Sequence, residues 1–303
     1  KTSVLFKKID KTSENIHFDL IFDGKKNTSF RPKIVKFFSM IQEYCPYLKD
    51  YHLLISSSNS FPHSSGIASS ASSMSALSLC IMSLEKKLTL IDDDYFFKKA
   101  SFISRIGSGS ASRSVYGGVN LWGKHKELNN SSDLYSVKLS KNISPKFNNY
   151  RDIILIIDDK EKEVSSSVGH GLMNNNPFSK VRFNAANNNI TKLLQILDSG
   201  NLNDFCELVE GEALMLHSLM MNSNPSYILM KPETLEVIER IQDFRENSEI
   251  PVCFTLDAGA NVHVLFPQNF SKEVMTFIEK ELAPFCKGGK FITDSIGEGP
   301  KQF

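Results

Sequence analysis

Four short segments of this sequence gather the residue types that hold phosphate and move protons. The first is FPHSSGIASSASSMSALSL, residues 61–79, in which eight of nineteen residues are serine. Its apolar positions Ile67, Ala71, Met74, Leu77, Ile81 and Leu84 recur at three- and four-residue steps, so the spacing predicts an amphipathic helix. Serine competes for local backbone groups and is a middling helix former, so this many hydroxyls at a helix start serve something besides propensity. A first turn carries unpaired N–H groups and the positive end of the helix dipole, which together attract an anion such as phosphate. Gly66 would let a ligand approach the backbone, and Ser69 and Ser70 could bond phosphate oxygens or help hold a magnesium ion. A serine-rich cap on an ordinary core helix explains the same residues equally well.

The second segment, GSGSASRSVYGG (107–118), places Ser108, Gly109, Ser110 and Arg113 in a glycine-bearing loop. Successive N–H groups and hydroxyls can cup an anion, and arginine adds a planar fork suited to phosphate or carboxylate. A flexible linker seldom needs an arginine, a tyrosine and paired glycines together, so an anion site is favoured. EVSSSVGHG (163–171) offers Ser165, Ser166 and Ser167 as ligands for a second phosphate, and a plain polar loop is almost as good a reading. TLDAGANVHV (255–264) puts Asp257 at the end of an apolar strand, where a half-buried carboxylate could act as a base or orient a proton. Taken alone, that aspartate reads more simply as the cap of its own turn. The seven histidines form no ligand pattern and receive no role.

The elements that must position these residues follow from periodicity and punctuation. Residues 2–9 and 16–22 are predicted as the strands of a hairpin, with Asp23-Gly24 as the next turn. Pro32 opens a helix over 33–44. A strand at 51–57 leads into the serine-rich helix, and a helix at 92–105 is capped by Asp92–Asp94. Residues 107–118 are too rich in Gly and Ser for a regular element, and 133–139 reads as a strand. DIILIID (152–158) is apolar on consecutive positions, hence a strand buried on both faces. Helices are predicted over 177–219, broken at Gly200, and over 232–246. Strands at 252–256 and 262–266, a helix at 271–282 and a strand near 290–293 follow. The mixture is α+β, with a division near residue 150.

The 303 residues suffice for a large core or two domains. With 35 Lys and Arg against 34 Asp and Glu, nothing points to nucleic acid or a membrane surface, and no apolar run approaches a membrane span. The five cysteines are scattered and form no C-x-x-C pair, which fits reduced thiols in a cytoplasmic protein.

Taken together, the four segments resemble the diphosphomevalonate decarboxylase branch of the GHMP kinase superfamily. FPHSSGIASSAS is similar to that branch's P-x-x-x-G-L-A-S-S-A phosphate loop, and Ala68 favours the branch over sister kinases, which usually show G-L-G-S-S-A. GSGSASRSVYGG, preceded by Arg105, is similar to R-x-G-S-G-S-A-x-R-S-x-Y-G-G. EVSSSVGHG is similar to V-S-S-x-x-G-M, FTLDAGANVHV to F-T-x-D-A-G-P-N, and IGEGP (296–300) to a G-x-G-P tail. The four main motifs stand in the family's order. The resemblance implies a two-domain GHMP kinase-like α+β fold, residues 1–150 forming the N-terminal domain and 151–303 the C-terminal domain, with the active site in the interdomain cleft. It implies ATP-dependent decarboxylation of mevalonate 5-diphosphate to isopentenyl diphosphate, carbon dioxide, ADP and phosphate, with Mg2+. Pro62, Ser65, Gly66, Ala68, Ser69 and Ser70 would hold the ATP phosphates, with the metal near Ser69 or Ser70. Ser108, Gly109, Ser110, Arg113 and Ser166 would hold the substrate. Asp257 would take or orient the hydroxyl proton. A homodimer is the candidate assembly.

Three positions depart from the family pattern. Its opening K-Y-W-G-K segment is absent, so the N-terminal domain is expected to be truncated and to show an unpaired strand edge. His170 replaces the usual Met, and Ala260 the usual Pro. Two rival readings are a sister small-molecule kinase of the mevalonate or phosphomevalonate type, and an inactive fragment.

Overall fold

The structure, a computed structural model, describes residues 1–26, 28–61, 67–139, 143–160, 171, 173 and 176–302. Contacts divide the chain into two compact units, the first made of Lys1–Pro62, Ala68–Leu139 and Gly297–Phe303, the second chiefly of Ser140–Ile296. By contacts the terminal segment from Gly297 groups with the first unit.

The first unit is built on β1 (Thr2–Lys8), β2 (His17–Phe22), β3 (Lys25–Lys26) and β4 (Tyr51–Ser57), in the order β1-β4-β2-β3. The predicted hairpin of the first two strands is therefore corrected. β4 inserts between them, antiparallel to β1 and parallel to β2, so the pairing is set by a strand far along the chain. The turn expected at Asp23-Gly24 is present: it joins β2 to β3, and both residues take positive φ. β1 is an edge strand of this sheet.

Helix α1 (Arg31–Ile41) carries Pro32 in its first turn, where a missing N–H costs nothing. The six predicted apolar positions of α2 (Ser69–Leu88) and its approach are all buried. α3 (Asp93–Gly107) starts where the Asp92 carboxylate accepts the Tyr95 N–H at 2.8 Å. These helices and the sheet share one core, with Phe37, Ile41, Leu53, Ile81 and Ile103 at its centre. The Gly/Ser stretch after α3 is more regular than its composition suggests: Gly109–Val115 forms a 3₁₀ turn. A small ladder of β5 (Asn120–Trp122) and β6 (Ser136–Lys138) follows.

In the second unit an antiparallel sheet runs β10-β7-β9-β8, from β7 (Tyr150–Leu155), β8 (Cys253–Leu256), β9 (Val262–Pro267) and β10 (Phe291–Ser295). Gly200, at φ 72°, ends α4 (Ser179–Ser199) and lets the chain re-enter α5 (Leu202–Met221), which Asn201 caps. α6 (Pro232–Ser248) and α7 (Ser271–Phe277) complete the unit. Its core joins Ile153, Ile241, Phe254, Val264 and Phe266. Buried Glu210 on α5 takes both Arg245 guanidinium nitrogens and the Phe254 N–H, tying α5 to α6 and β8. Among the described residues no helix is long and apolar enough to cross a membrane.

Candidate active site

The first turn of α2 is entered through Ala68, whose φ of 56° lies in the left-handed region that a side chain disfavours. Its carbonyl accepts the N–H groups of Ala71 and Ser72, which closes the turn. Ser69 is buried, with 6% of its surface exposed. The Ser70 hydroxyl accepts a hydrogen bond from Lys33 Nζ at 2.8 Å. That contact brings an ammonium from α1 to the positive end of α2, and partial loss of water there lowers the pKa of Lys33. Two sources of positive potential meet at one place, which an anion would relieve. Pro62, Ser65 and Gly66 of the same loop lie outside the described residues.

The 3₁₀ turn bearing Ser110 and Arg113 packs against both α2 and α3. It shares their core through Ala111 and Val115. One buried hydroxyl fixes it: Ser101 Oγ donates to the Ser112 carbonyl at 2.7 Å and accepts the Ser136 N–H at 2.8 Å. Ser112 Oγ in turn donates to the Gly109 carbonyl at 2.9 Å. Ser108 links α3 to the turn, accepting the Ala111 N–H at 2.9 Å. A Cβ on Gly109 would lie 2.8 Å from the Trp122 ring, so the turn packs closely against that side chain. Arg113 is exposed, as a group that grips a ligand must be. Arg105 is otherwise committed, donating from Nε to the Leu134 carbonyl and lying over the Phe102 ring.

In the second unit Asp257 is exposed, not half-buried as the strand-end position suggested. The interior holds its backbone, and the carboxylate stays at the surface. His217 on α5, 2% exposed, donates from Nε2 to the Asp257 carbonyl at 3.1 Å. Thr234 on α6 donates to the Ala260 carbonyl at 2.8 Å, and Asn261 Oδ1 accepts the Asp158 N–H at 2.9 Å. The Asp257 carboxylate accepts the Ala258 N–H at 2.8 Å, so it caps its own turn as well as standing in solvent. Ala260, where the family pattern has proline, is buried. Ser165, Ser166, Ser167 and His170 lie outside the described residues.

On neighbouring β9, His263 Nδ1 meets the Asp152 carboxylate at 2.9 Å. Burial, the largest single effect, lowers the histidine pKa, but the Asp152 hydrogen bond and the charges of Asp152, Asp257 and Asp294 together outweigh it and raise the pKa. Sequence reading missed Lys33, Ser101, His217, Thr234 and Asn261. None sits in a glycine- or serine-rich motif with its target, and only the fold brings them together. Among the described residues no group of three or more His, Cys, Asp or Glu could hold a metal ion.

Residues 1–134 match the profile of the diphosphomevalonate decarboxylase-like N-terminal domain, and residues 152–301 that of the mevalonate 5-diphosphate decarboxylase C-terminal domain. A diphosphomevalonate decarboxylase from Ganoderma lucidum is 26% identical over 244 residues, a match spanning 78% of this chain and 58% of that protein. Mevalonate diphosphate decarboxylase from Staphylococcus aureus superposes with a TM-score of 0.80 at 26% identity, covering 98% of this chain and 84% of that one. A structure described as MDDEF in complex with MVAPP, AMPPCP and magnesium superposes with a TM-score of 0.80 at 23% identity, covering 98% and 85%. The two-domain α+β fold is that of the GHMP kinase-like decarboxylases. With both of its halves matched in order, the chain belongs to the diphosphomevalonate decarboxylase family.

Proposed function

We propose that this protein uses ATP to convert mevalonate 5-diphosphate into isopentenyl diphosphate, carbon dioxide, ADP and phosphate, in the mevalonate pathway of isoprenoid biosynthesis. The observation that carries the reading is the meeting of Lys33 with the α2 N-terminus at Ser70, a concentration of positive charge suited to the phosphates of a nucleotide. Pro62, Ser65, Gly66, Ala68, Ser69 and Ser70 form the phosphate loop of this reading.

Losing carbon dioxide requires somewhere for the electron pair of the breaking C–C bond to go. A leaving group on the neighbouring carbon supplies it, but a tertiary hydroxyl leaves poorly. Asp257 takes or orients the hydroxyl proton while the oxygen accepts the γ-phosphoryl group. The C–O bond to phosphate then breaks, and the C–C electron pair becomes the alkene. Phosphoryl transfer needs positioning and charge neutralisation more than covalent help. Ser108, Gly109, Ser110, Arg113 and Ser166 hold the substrate's diphosphate and carboxylate. Magnesium would neutralise charge on the transferring phosphate. Ser69 and Ser70, at the start of α2, would hold it.

A cytoplasmic location belongs to the same reading, supported by the free cysteines, with a homodimer as the assembly to be tested. The direct test is to supply ATP and mevalonate 5-diphosphate and count carbon dioxide against ADP. One of each per turnover is expected. ADP without carbon dioxide would mean a kinase that stops at phosphorylation, and neither product would mean no catalysis.

A further inference from the structure

The 296–300 segment IGEGP has no part in the chemistry above, yet residues 297–299 lie on the backbone that leaves the Arg113 turn. Gly118 N–H donates to the Gly297 carbonyl at 2.9 Å. A Cβ on Gly117 would stand 2.2 Å from the Glu298 carbonyl oxygen and 2.8 Å from the Gly299 nitrogen. From the other side, a Cβ on Gly299 would stand 2.9 Å from the Gly117 nitrogen. Gly299 has φ 99° and Gly118 φ 72°, conformations that side chains rarely adopt. The two strands of chain thus touch backbone to backbone, a distance only glycines allow. Residues 297–302 bury no side chain, and the Glu298–Lys301 ion pair is exposed on both sides. The segment therefore adds little to the core, and its effect is to fix where its partner lies.

We propose that Gly297–Gly299 clasp Gly117–Gly118 and so hold the Arg113 turn in position for the phosphorylated substrate, a claim that rests on Arg113 binding that substrate. The turn is then fixed at both ends. The Ser101 hydroxyl holds Ser112 upstream, and the clasp holds the exit one residue beyond Tyr116, whose N–H donates to the Arg113 carbonyl at 3.3 Å. Gly117 and Gly299 are positioning residues, acting through the turn and not on the substrate.

The test uses Gly299→Ala and Gly117→Ala in the full chain, singly and together, with Arg113→Ala beside them. Gly299→Ala is the cleaner variant, because it lies far in sequence from the turn and on an exposed segment. Hydrogen exchange at the Gly118 amide reports whether the clasp has opened. Faster exchange is expected, with KM for mevalonate 5-diphosphate raised about 10- to 100-fold, as for small misplacements of a binding group. ATP affinity and Tm should hold. The double variant should be no worse than the worse single one, since both open one contact. Faster exchange with an unchanged KM overturns the clasp's role, as does unchanged exchange in both variants. So does an equal loss of ATP affinity and Tm, which would mark a merely structural contact. If Arg113→Ala leaves KM unchanged, the reading of the substrate site falls and the clasp's role with it; if Arg113→Ala raises KM and the glycine variants do not, the clasp alone falls.

Discussion

The Arg113 turn and the Asp257 turn each hang on one buried hydroxyl, but they are fixed in opposite ways. Ser101 reaches the Arg113 turn from the helix that runs straight into it, 11 residues away. Thr234 reaches the Asp257 turn from 26 residues away, His217 from 40, and Asn261 binds an amide 103 residues distant. The first turn is local where Ser101 holds it, and only its exit meets a distant segment, at residues 297–299. The second is assembled by three elements and cannot form until its unit has folded. On the proposed roles, a turn that offers several hydroxyls and an arginine to a large anion can be written largely in one stretch of sequence. A turn that must present a single carboxylate at a fixed point needs a scaffold around its backbone, since one side chain has no neighbours of its own to set its place.

The largest expected effect is at Asp257. Asp257→Asn keeps the shape and removes the charge, and should lower kcat about 100- to 10,000-fold. Arg113→Ala should lower kcat/KM about 10- to 100-fold, the cost of a hydrogen-bonded charge. Arg113→Lys should restore little of it because the planar fork is lost, and Tm should hold because the side chain is exposed. The two hydroxyls sharpen the comparison. Ser101→Ala and Thr234→Val each leave a buried carbonyl without its donor, costing about 1–3 kcal/mol in denaturant unfolding. Steady-state kinetics should then separate them, with Ser101→Ala acting on KM for the substrate and Thr234→Val on kcat.

Smaller still is Ala68→Gly, which relieves a left-handed alanine. The relief is about 1 kcal/mol, partly offset by the freer unfolded chain, so unfolding free energy should rise by less than that. Last comes pH. The folded pKa of His263 is raised, so its contribution to stability is complete below its unfolded pKa near 6.5 and is lost as pH rises through the folded value. The stability gap between the wild type and His263→Gln should narrow from acid to alkaline pH. A gap that widens would contradict the pairing with Asp152.

Most of the elements were legible because each rests on local signals: period-3.6 apolar positions in α2, Pro32 in α1, Asp92 before α3, Gly200 between α4 and α5. The first hairpin was misread because β1 and β2 each look like partners, and nothing local announces that β4 will come between them. The 3₁₀ turn carries no local signal, because its regularity comes from Ser101 and from core packing of Ala111 and Val115. At the candidate site the motifs are legible in the sequence and the residues that support them are not. Lys33 and His217 carry no mark in sequence, since their partners lie 37 and 40 residues away. The exposure of Asp257 was also hidden, because an apolar strand end says nothing about which atoms of the next residue the interior keeps.

The most direct measurement of the central claim, that the surface carboxylate of Asp257 does the proton chemistry while the other turn only holds, is a rapid-quench single turnover of Asp257→Asn. ATP and mevalonate 5-diphosphate should bind with near-normal affinity, while ADP and carbon dioxide both form about 100- to 10,000-fold more slowly. Wild-type rates of both products in this variant would contradict the account.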